Sequence, residues 1–222
     1  MNGHSFVDFD GTIFNTELFK VALFEMLHQL NETFDLLTVE KTYLHVRSIN
    51  PTGYSPKFHF ERLLSDTNIP QEEHAALLAK FMKSSDDLFS TLSDYVFPDA
   101  IDFLRKHPDA IILTAGETRY QIAKVVAALD LDDSRIIVCN DGGKAEELWN
   151  FFLRNAMDHP EHAKFSFYDN NSDNLMQVAG RFPNADLFHM VRDEINEHQH
   201  VDGNLNKLPD NTEQILMTST FR

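Results

Sequence analysis

Five short apolar runs of β type, most of them ending in a polar turn, constrain the fold of this chain more than any other feature. They are His4–Phe9, Ala110–Leu113, Arg135–Cys139, Lys164–Tyr168 and Asp186–Met190. The turns that follow are Asp10-Gly11-Thr12, Thr114-Ala115-Gly116, Asn140-Asp141-Gly142-Gly143-Lys144, Asp169-Asn170-Asn171 and Val191-Arg192-Asp193. The second and third runs show little apolar–polar alternation, the pattern of strands buried on both faces. Helical faces separate the later runs. Ile122, Val125, Val126 and Leu129 form one, Leu148, Trp149, Phe152 and Ala156 another, and Leu175, Val178, Ala179 and Phe182 a third. Strand, helix, strand at this spacing predicts βαβ units, an α/β fold and a parallel sheet. In such sheets ligands bind beyond the C-terminal ends of the strands, where these polar turns fall.

Between the first two runs the alternation breaks. Phe19, Leu23, Met26, Leu27 and Leu30 share one helical face. Pro70 fits the start of another helix, with Glu72 and Glu73 in its first turn and Ala75, Leu78, Phe81 and Met82 expected inward. Asn50-Pro51-Thr52-Gly53-Tyr54-Ser55-Pro56 reads as a loop between them, and Phe97-Pro98-Asp99 as the return to the core. The expected organisation is a core of residues 1–14 and 96–193, a helical insert of residues 15–95, and a polar tail of residues 194–222. The tail is either docked or mobile. Val201 to Leu205 suits a hairpin, and Ile215-Leu216-Met217 is the stretch that would dock.

Composition narrows the function classes. With 42% apolar residues and 19 Phe, the chain of 222 residues has ample material for a core. Lys plus Arg is 19 against 35 Asp plus Glu, a net charge of −16, which disfavours nucleic acid or an anionic membrane as a partner. One cysteine, Cys139, leaves no disulfide or Cys-based zinc site within the chain and reads as a small buried apolar residue. No run approaches the roughly 18 apolar residues of a membrane span. Met1 to Asp10 lacks the basic and apolar regions of a secretory signal, so the expectation is a cytoplasmic protein. The 11 histidines, including His159 with His162 and His198 with His200, read as surface residues because no cysteine or carboxylate scaffold accompanies them.

Chemistry concentrates at the strand ends. Asp8 and Asp10 in Asp8-Phe9-Asp10-Gly11-Thr12 start on one side of an extended strand, and Gly11 permits a tight turn. Two carboxylates about 4 Å apart repel by roughly 4 kcal/mol at an effective dielectric near 20, and a hard, oxygen-seeking cation compensates. Read alone, the same five residues also suit a solvated turn with capping aspartates. Asp169 ends the fourth run, and Asp173 follows one turn later, where it also suits a helix N-cap. Together with Asp8 and Asp10 they place four acids at adjacent strand ends. Thr114, Ala115 and Gly116 offer a hydroxyl and backbone N–H groups before a helix, either an anion cradle or a plain turn. Lys144 after two glycines is either a counter-charge or a solvated lysine.

In this order the four elements resemble the haloacid dehalogenase-like hydrolase superfamily, from about His4 to Arg192. Asp8 to Thr12 resembles its first motif, Thr114 its second, Lys144 its third, and Asp169 with Asp173 its fourth. Many capped members carry two adjacent acids in the fourth motif. Here Asn170 follows Asp169, and Asp173 supplies the second acid in a DxxxD variant. The resemblance implies a Rossmann-like parallel sheet flanked by helices, with a C1-type helical cap inserted after the first strand.

The implied activity is a Mg²⁺-dependent phosphatase acting on a small phosphorylated metabolite through an aspartyl-phosphate. Asp8 is then the nucleophile and Asp10 the acid–base group. Thr114, Ala115, Gly116 and Lys144 hold the phosphoryl group, and Asp8, Asp10, Asp169 and Asp173 form the metal shell. Arg47, Lys57, His59 and Arg62 are the implied cap contacts to substrate. The second acid of the first motif sets the chain apart from dehalogenase relatives, whose halide leaving group needs no proton. A phosphomutase shares all four motifs, and a binding or regulatory protein on the same fold is the non-enzyme alternative.

Overall fold

The computed structural model describes residues 4–50, 53–139 and 143–192, and the backbone of residues 212–214. Strands β1 (His4–Val7), β2 (Ile111–Ala115), β3 (Ile136–Cys139), β4 (Phe165–Asp169) and β5 (Asp186–Met190) form a parallel sheet in the order β3-β2-β1-β4-β5. A short strand β6 (Thr212–Gln214) pairs antiparallel with β5. The rest of the expected tail, including Val201 to Leu205 and Ile215 to Met217, lies outside the described residues, as does the turn at residues 140–142.

The boundaries shift at the site. Regular β1 ends at Val7, although the Asp8 N–H still donates to the Tyr168 carbonyl at 2.8 Å. From Phe9 the chain turns on itself: the N–H groups of Thr12, Ile13 and Phe14 all donate to the Phe9 carbonyl, with Gly11 at φ 77°. Such a φ favours glycine because a Cβ there crowds the backbone. β2 runs through Thr114 and Ala115 because both pair with β3, opposite Val138 and Cys139.

Side-chain alternation divides the apolar core in two. Phe6, Leu113, Phe167 and Leu187 join Leu148, Phe152 and Phe182 in one cluster. Val7, Ile112, Tyr168 and Phe188 join Phe103, Val125 and the helical residues Phe19, Phe60 and Phe81 in the other. Consecutive strand residues fall into different clusters, as the two faces of a sheet require.

Four helices lie between β1 and β2: α1 (Thr16–Leu30), α2 (Leu36–Ile49), α3 (Pro56–Asp66) and α4 (Gln71–Phe89). Asn15, Asp35 and Ser55 cap the first three, each accepting a backbone N–H three residues on, and Pro56 sits in the first turn of α3. The α1 face is as expected, with Phe19, Leu23, Leu27 and Leu30 buried. The α4 face is not. Leu77 and Phe81 are buried, whereas Ala75, Leu78 and Met82 are exposed. Phe81 stacks on Phe60 at 4.4 Å, and that contact sets the rotation of the helix. The chain enters and leaves this segment at adjacent points. The Asn15 N–H donates to the Tyr95 carbonyl at 2.7 Å, the Phe97 N–H donates to the Ile13 carbonyl at 2.9 Å, and Phe14 bridges Val96.

After that segment come α5 (Pro98–Lys106), α6 (Thr118–Leu129) following β2, α7 (Gly143–Arg154) following β3, and α8 (Ser172–Arg181) following β4. Among the described residues, no helix is long and apolar enough to cross a membrane.

Candidate active site

The C-terminal ends of β1, β2 and β4 bring Asp8, Thr114 and Asp169 to one end of the sheet, and α7 delivers Lys144 to them. The Lys144 ammonium bridges the two carboxylates, donating to Asp8 and, at 2.7 Å, to Asp169. All three side chains are buried. The second Asp8 oxygen accepts from the Thr12 hydroxyl at 2.9 Å. Asp169 also accepts from the Asn171 N–H at 2.7 Å and the Asn174 amide at 3.0 Å. Burial pushes the Asp8 carboxyl up to about 7, with Lys144 pulling it down and Asp169 pushing it further up. Burial works against the charged form of Lys144, but the two carboxylates outweigh it and hold the ammonium above its ordinary value.

Asp10 faces another partner. Its carboxylate accepts from Lys124 of α6, from the Thr16 hydroxyl at 2.9 Å and from the Gln121 amide at 3.3 Å. Burial raises the Asp10 carboxyl, but these donors, Lys124 foremost, bring it below its ordinary value. The Lys124 ammonium is buried over the Phe14 ring at 4.4 Å, with Phe9 at 5.3 Å and Phe19 at 5.4 Å. Gln121 also donates to the Ala115 carbonyl at 3.2 Å and accepts from the Thr114 hydroxyl at 3.4 Å, tying the β2 turn to Asp10. The sequence reading missed both residues. Gln121 and Lys124 lie three apart on one helical face with Ala128, directly after the Thr114-Ala115-Gly116 turn. Two polar groups interrupting a buried face were the available signal.

Arg192 was missed as well. Its guanidinium donates twice to the Thr12 carbonyl, at 3.1 and 2.9 Å, and to Asp99 at 3.0 Å, and it stacks over Phe97 at 4.3 Å. Together with the Asn170 N–H, which donates to the Thr12 hydroxyl at 3.0 Å, it fastens the turn that carries Asp8 and Asp10.

The four acids do not converge. Asp10 turns toward Lys124, and Asp173 is exposed in the first turn of α8. Asn171, not Asp173, caps that helix, accepting the Asp173 N–H at 2.9 Å. Among the described residues, no group of three or more His, Cys, Asp or Glu side chains is placed to hold a metal ion. The smaller donor set still fits Mg²⁺. Asp8 and Asp169 share one cation, Lys144, all donors are oxygen, and Mg²⁺ typically takes one or two carboxylates and completes its shell with water and phosphate.

A pocket of about 520 Å³ opens beside Asp10, Ala115 and Gly116 and is walled by Phe19, Tyr43, Tyr54 and Tyr120. The helical segment closes tightly on the β2 turn here: a Cβ at Gly53 (φ 96°) would lie 2.7 Å from the Gly116 Cα. Of the expected substrate contacts, Arg47 lines this pocket. Lys57 is exposed and pairs with Glu61, and Arg62 pairs with Asp66 in a separate hollow beside Phe58. His59 is fully buried, its ring between the Tyr54 hydroxyl at 2.9 Å and the Val39 carbonyl at 2.8 Å. Burial lowers it to about 4, so it serves the packing of the helical segment. Cys139 is buried as expected, its thiol pushed up to about 12, and His159 is a surface residue.

Among solved structures the chain is similar to a candidate haloacid dehalogenase-like hydrolase from Burkholderia xenovorans LB400. The TM-score is 0.63 at 14% identity, over 90% of each chain. It is also similar to a haloacid dehalogenase-like family hydrolase from Xanthomonas campestris, with a TM-score of 0.52 at 11% identity over 85% of this chain and 82% of that one. No family model matches the sequence, and no curated protein matches it. The fold is that of the haloacid dehalogenase-like hydrolases.

Proposed function

We propose that the chain is a Mg²⁺-dependent hydrolase of small phosphate monoesters. The observation that carries this reading is the buried Lys144 bridging Asp8 and Asp169 at the mouth of a parallel sheet. Asp8, whose carboxylate form Lys144 and Thr12 favour against burial, attacks phosphorus as the ester P–O bond breaks and forms an aspartyl-phosphate, which divides one hard displacement into two easier ones. Asp10, a carboxylate beside Lys124 in the free site, takes up a proton before serving the leaving oxygen and afterwards takes one from the water that opens the intermediate. Gln121 and Lys124 position Asp10 in the free site. Thr114 with the backbone of Ala115 and Gly116 receives the phosphoryl oxygens. Asp8, Asp169 and the Asp10 backbone carbonyl would hold Mg²⁺, which when bound would supply charge neutralisation at the phosphoryl group. Helices α1–α4 act as a cap that shields the pocket from water.

The acid at position 10 favours phosphoryl transfer over dehalogenation, because an alkoxide leaving group requires a proton and a halide does not. The test is turnover of p-nitrophenyl phosphate with Mg²⁺, with and without chelator. Mg²⁺-dependent release of phosphate that disappears in Asp8→Asn supports the reading. Turnover surviving in that variant refutes the nucleophile, and transfer of phosphate to a second hydroxyl in place of release identifies a mutase.

A further inference from the structure

We infer that the pocket beside Asp10 takes a phosphate monoester whose leaving group is a flat, apolar body carrying a second anionic group, and that Arg47 binds that group. The inference rests on the hydrolase reading and names its substrate class.

Shape and chemistry agree. The volume of about 520 Å³ suits a small molecule, and the wall is aromatic: Phe19, Tyr43, Tyr54 and Tyr120. Tyr43 and Tyr54 meet edge to face at 4.9 Å. Their hydroxyls are engaged, that of Tyr54 with His59 and that of Tyr43 as acceptor from Arg47 at 3.2 Å, which leaves ring surface for an apolar body.

Charge selects the second group. The lining holds one carboxylate, Asp10, and three cations, Lys20, Arg47 and Lys124. Lys124 pairs with Asp10, and Lys20 pairs with Glu17. Arg47 pairs with no carboxylate among the described residues; it sits over the Tyr43 ring at 5.6 Å and donates to the Tyr43 hydroxyl. In a chain with 35 acids and 19 bases, an exposed arginine at the edge of a pocket, paired with no carboxylate among the described residues, is open to an anion from outside. Lys57 and Arg62 have acid partners and lie elsewhere, so the selection falls on Arg47.

Two esters that differ by one carboxylate test this: 4-methylphenyl phosphate and 4-(carboxymethyl)phenyl phosphate. Binding to the D8N protein in Mg²⁺ is measured by calorimetry. The expected result is at least tenfold tighter binding of the carboxylated ester, with the preference erased in D8N/R47M and intact in D8N/R62M. Equal affinity for the two esters, binding of neither, or a preference that survives R47M overturns the inference. Turnover of 4-methylphenyl phosphate by the unaltered protein reports on the hydrolase reading separately, because that ester lacks the second anion.

Discussion

Replacing Lys144 with methionine removes the cation that Asp8 and Asp169 share and leaves two buried carboxylates facing each other. Methionine is close to lysine in length, so the packing loss is small and the electrostatic loss dominates. Thr12 still serves Asp8, and Asn171 and Asn174 still serve Asp169, but none of them carries charge. Breaking a buried ion pair from one side costs about 3–5 kcal/mol. For a chain of this length, each kcal/mol lowers Tm by about 2–4 °C, so K144M should melt roughly 6–20 °C below the parent. Circular dichroism in chelator reads this directly. Adding Mg²⁺ should raise the Tm of K144M more than that of the parent, because a dication replaces the missing charge. The D8N substitution should cost less in the K144M background than alone, with a coupling above about 1 kcal/mol. If K144M unfolds within about 0.5 kcal/mol of the parent, or if the D8N cost is the same in both backgrounds, the bridge does not hold the site together.

Other expectations follow from single contacts. The folded pKa of His59 is about 4 against an ordinary 6.5, so stability is full above pH 6.5 and falls as the unfolded chain takes up a proton. The loss approaches about 3 kcal/mol at pH 4; urea midpoints across that range measure it, and His59→Phe should flatten that part of the curve. Gly53→Ala meets both a left-handed φ and the Gly116 backbone, so it should cost about 1–3 kcal/mol and lower kcat/KM by moving the loop off the β2 turn. Gly180→Ala, with nothing within 4 Å, should instead gain about 0.4–1 kcal/mol in denaturant melts. Arg192→Met deletes two donors to the Thr12 carbonyl and should cost about 2 kcal/mol or more while lowering kcat.

The strands and the positions of Asp8 and Asp169 were legible because strand-to-turn transitions are local and mark the C-terminal edge of a parallel sheet, whereas Lys144, on a helix, joined them only through the family resemblance. The environment of Asp10 was not. Two of its three partners lie 114 and 111 residues away, and a lysine in a helix reads as solvated until its ring partners are known. The same holds for Arg192, 180 residues from the carbonyl it secures. Spacing alone made Asp173 a fourth acid, whereas the direction of the α8 first turn leaves it in solvent. In α4, adjacent apolar stripes fit the period equally well, and the stacking of Phe81 on Phe60 decides between them.

The backbone bridge joining Phe14 to Val96 has a consequence for how such a chain diversifies. Because departure and return sit one hydrogen bond apart, a change in the length of α1–α4 is absorbed without separating the two ends that join it to the sheet. On the proposed reading, exchange of the segment at those two points keeps Asp8 and Asp169 on their strands and replaces Tyr43, Arg47 and Tyr54 as a block. The pair of peptide groups at Asn15 and Phe97 marks the splice, and Thr16 of α1, which donates to Asp10, is a contact an incoming segment must restore.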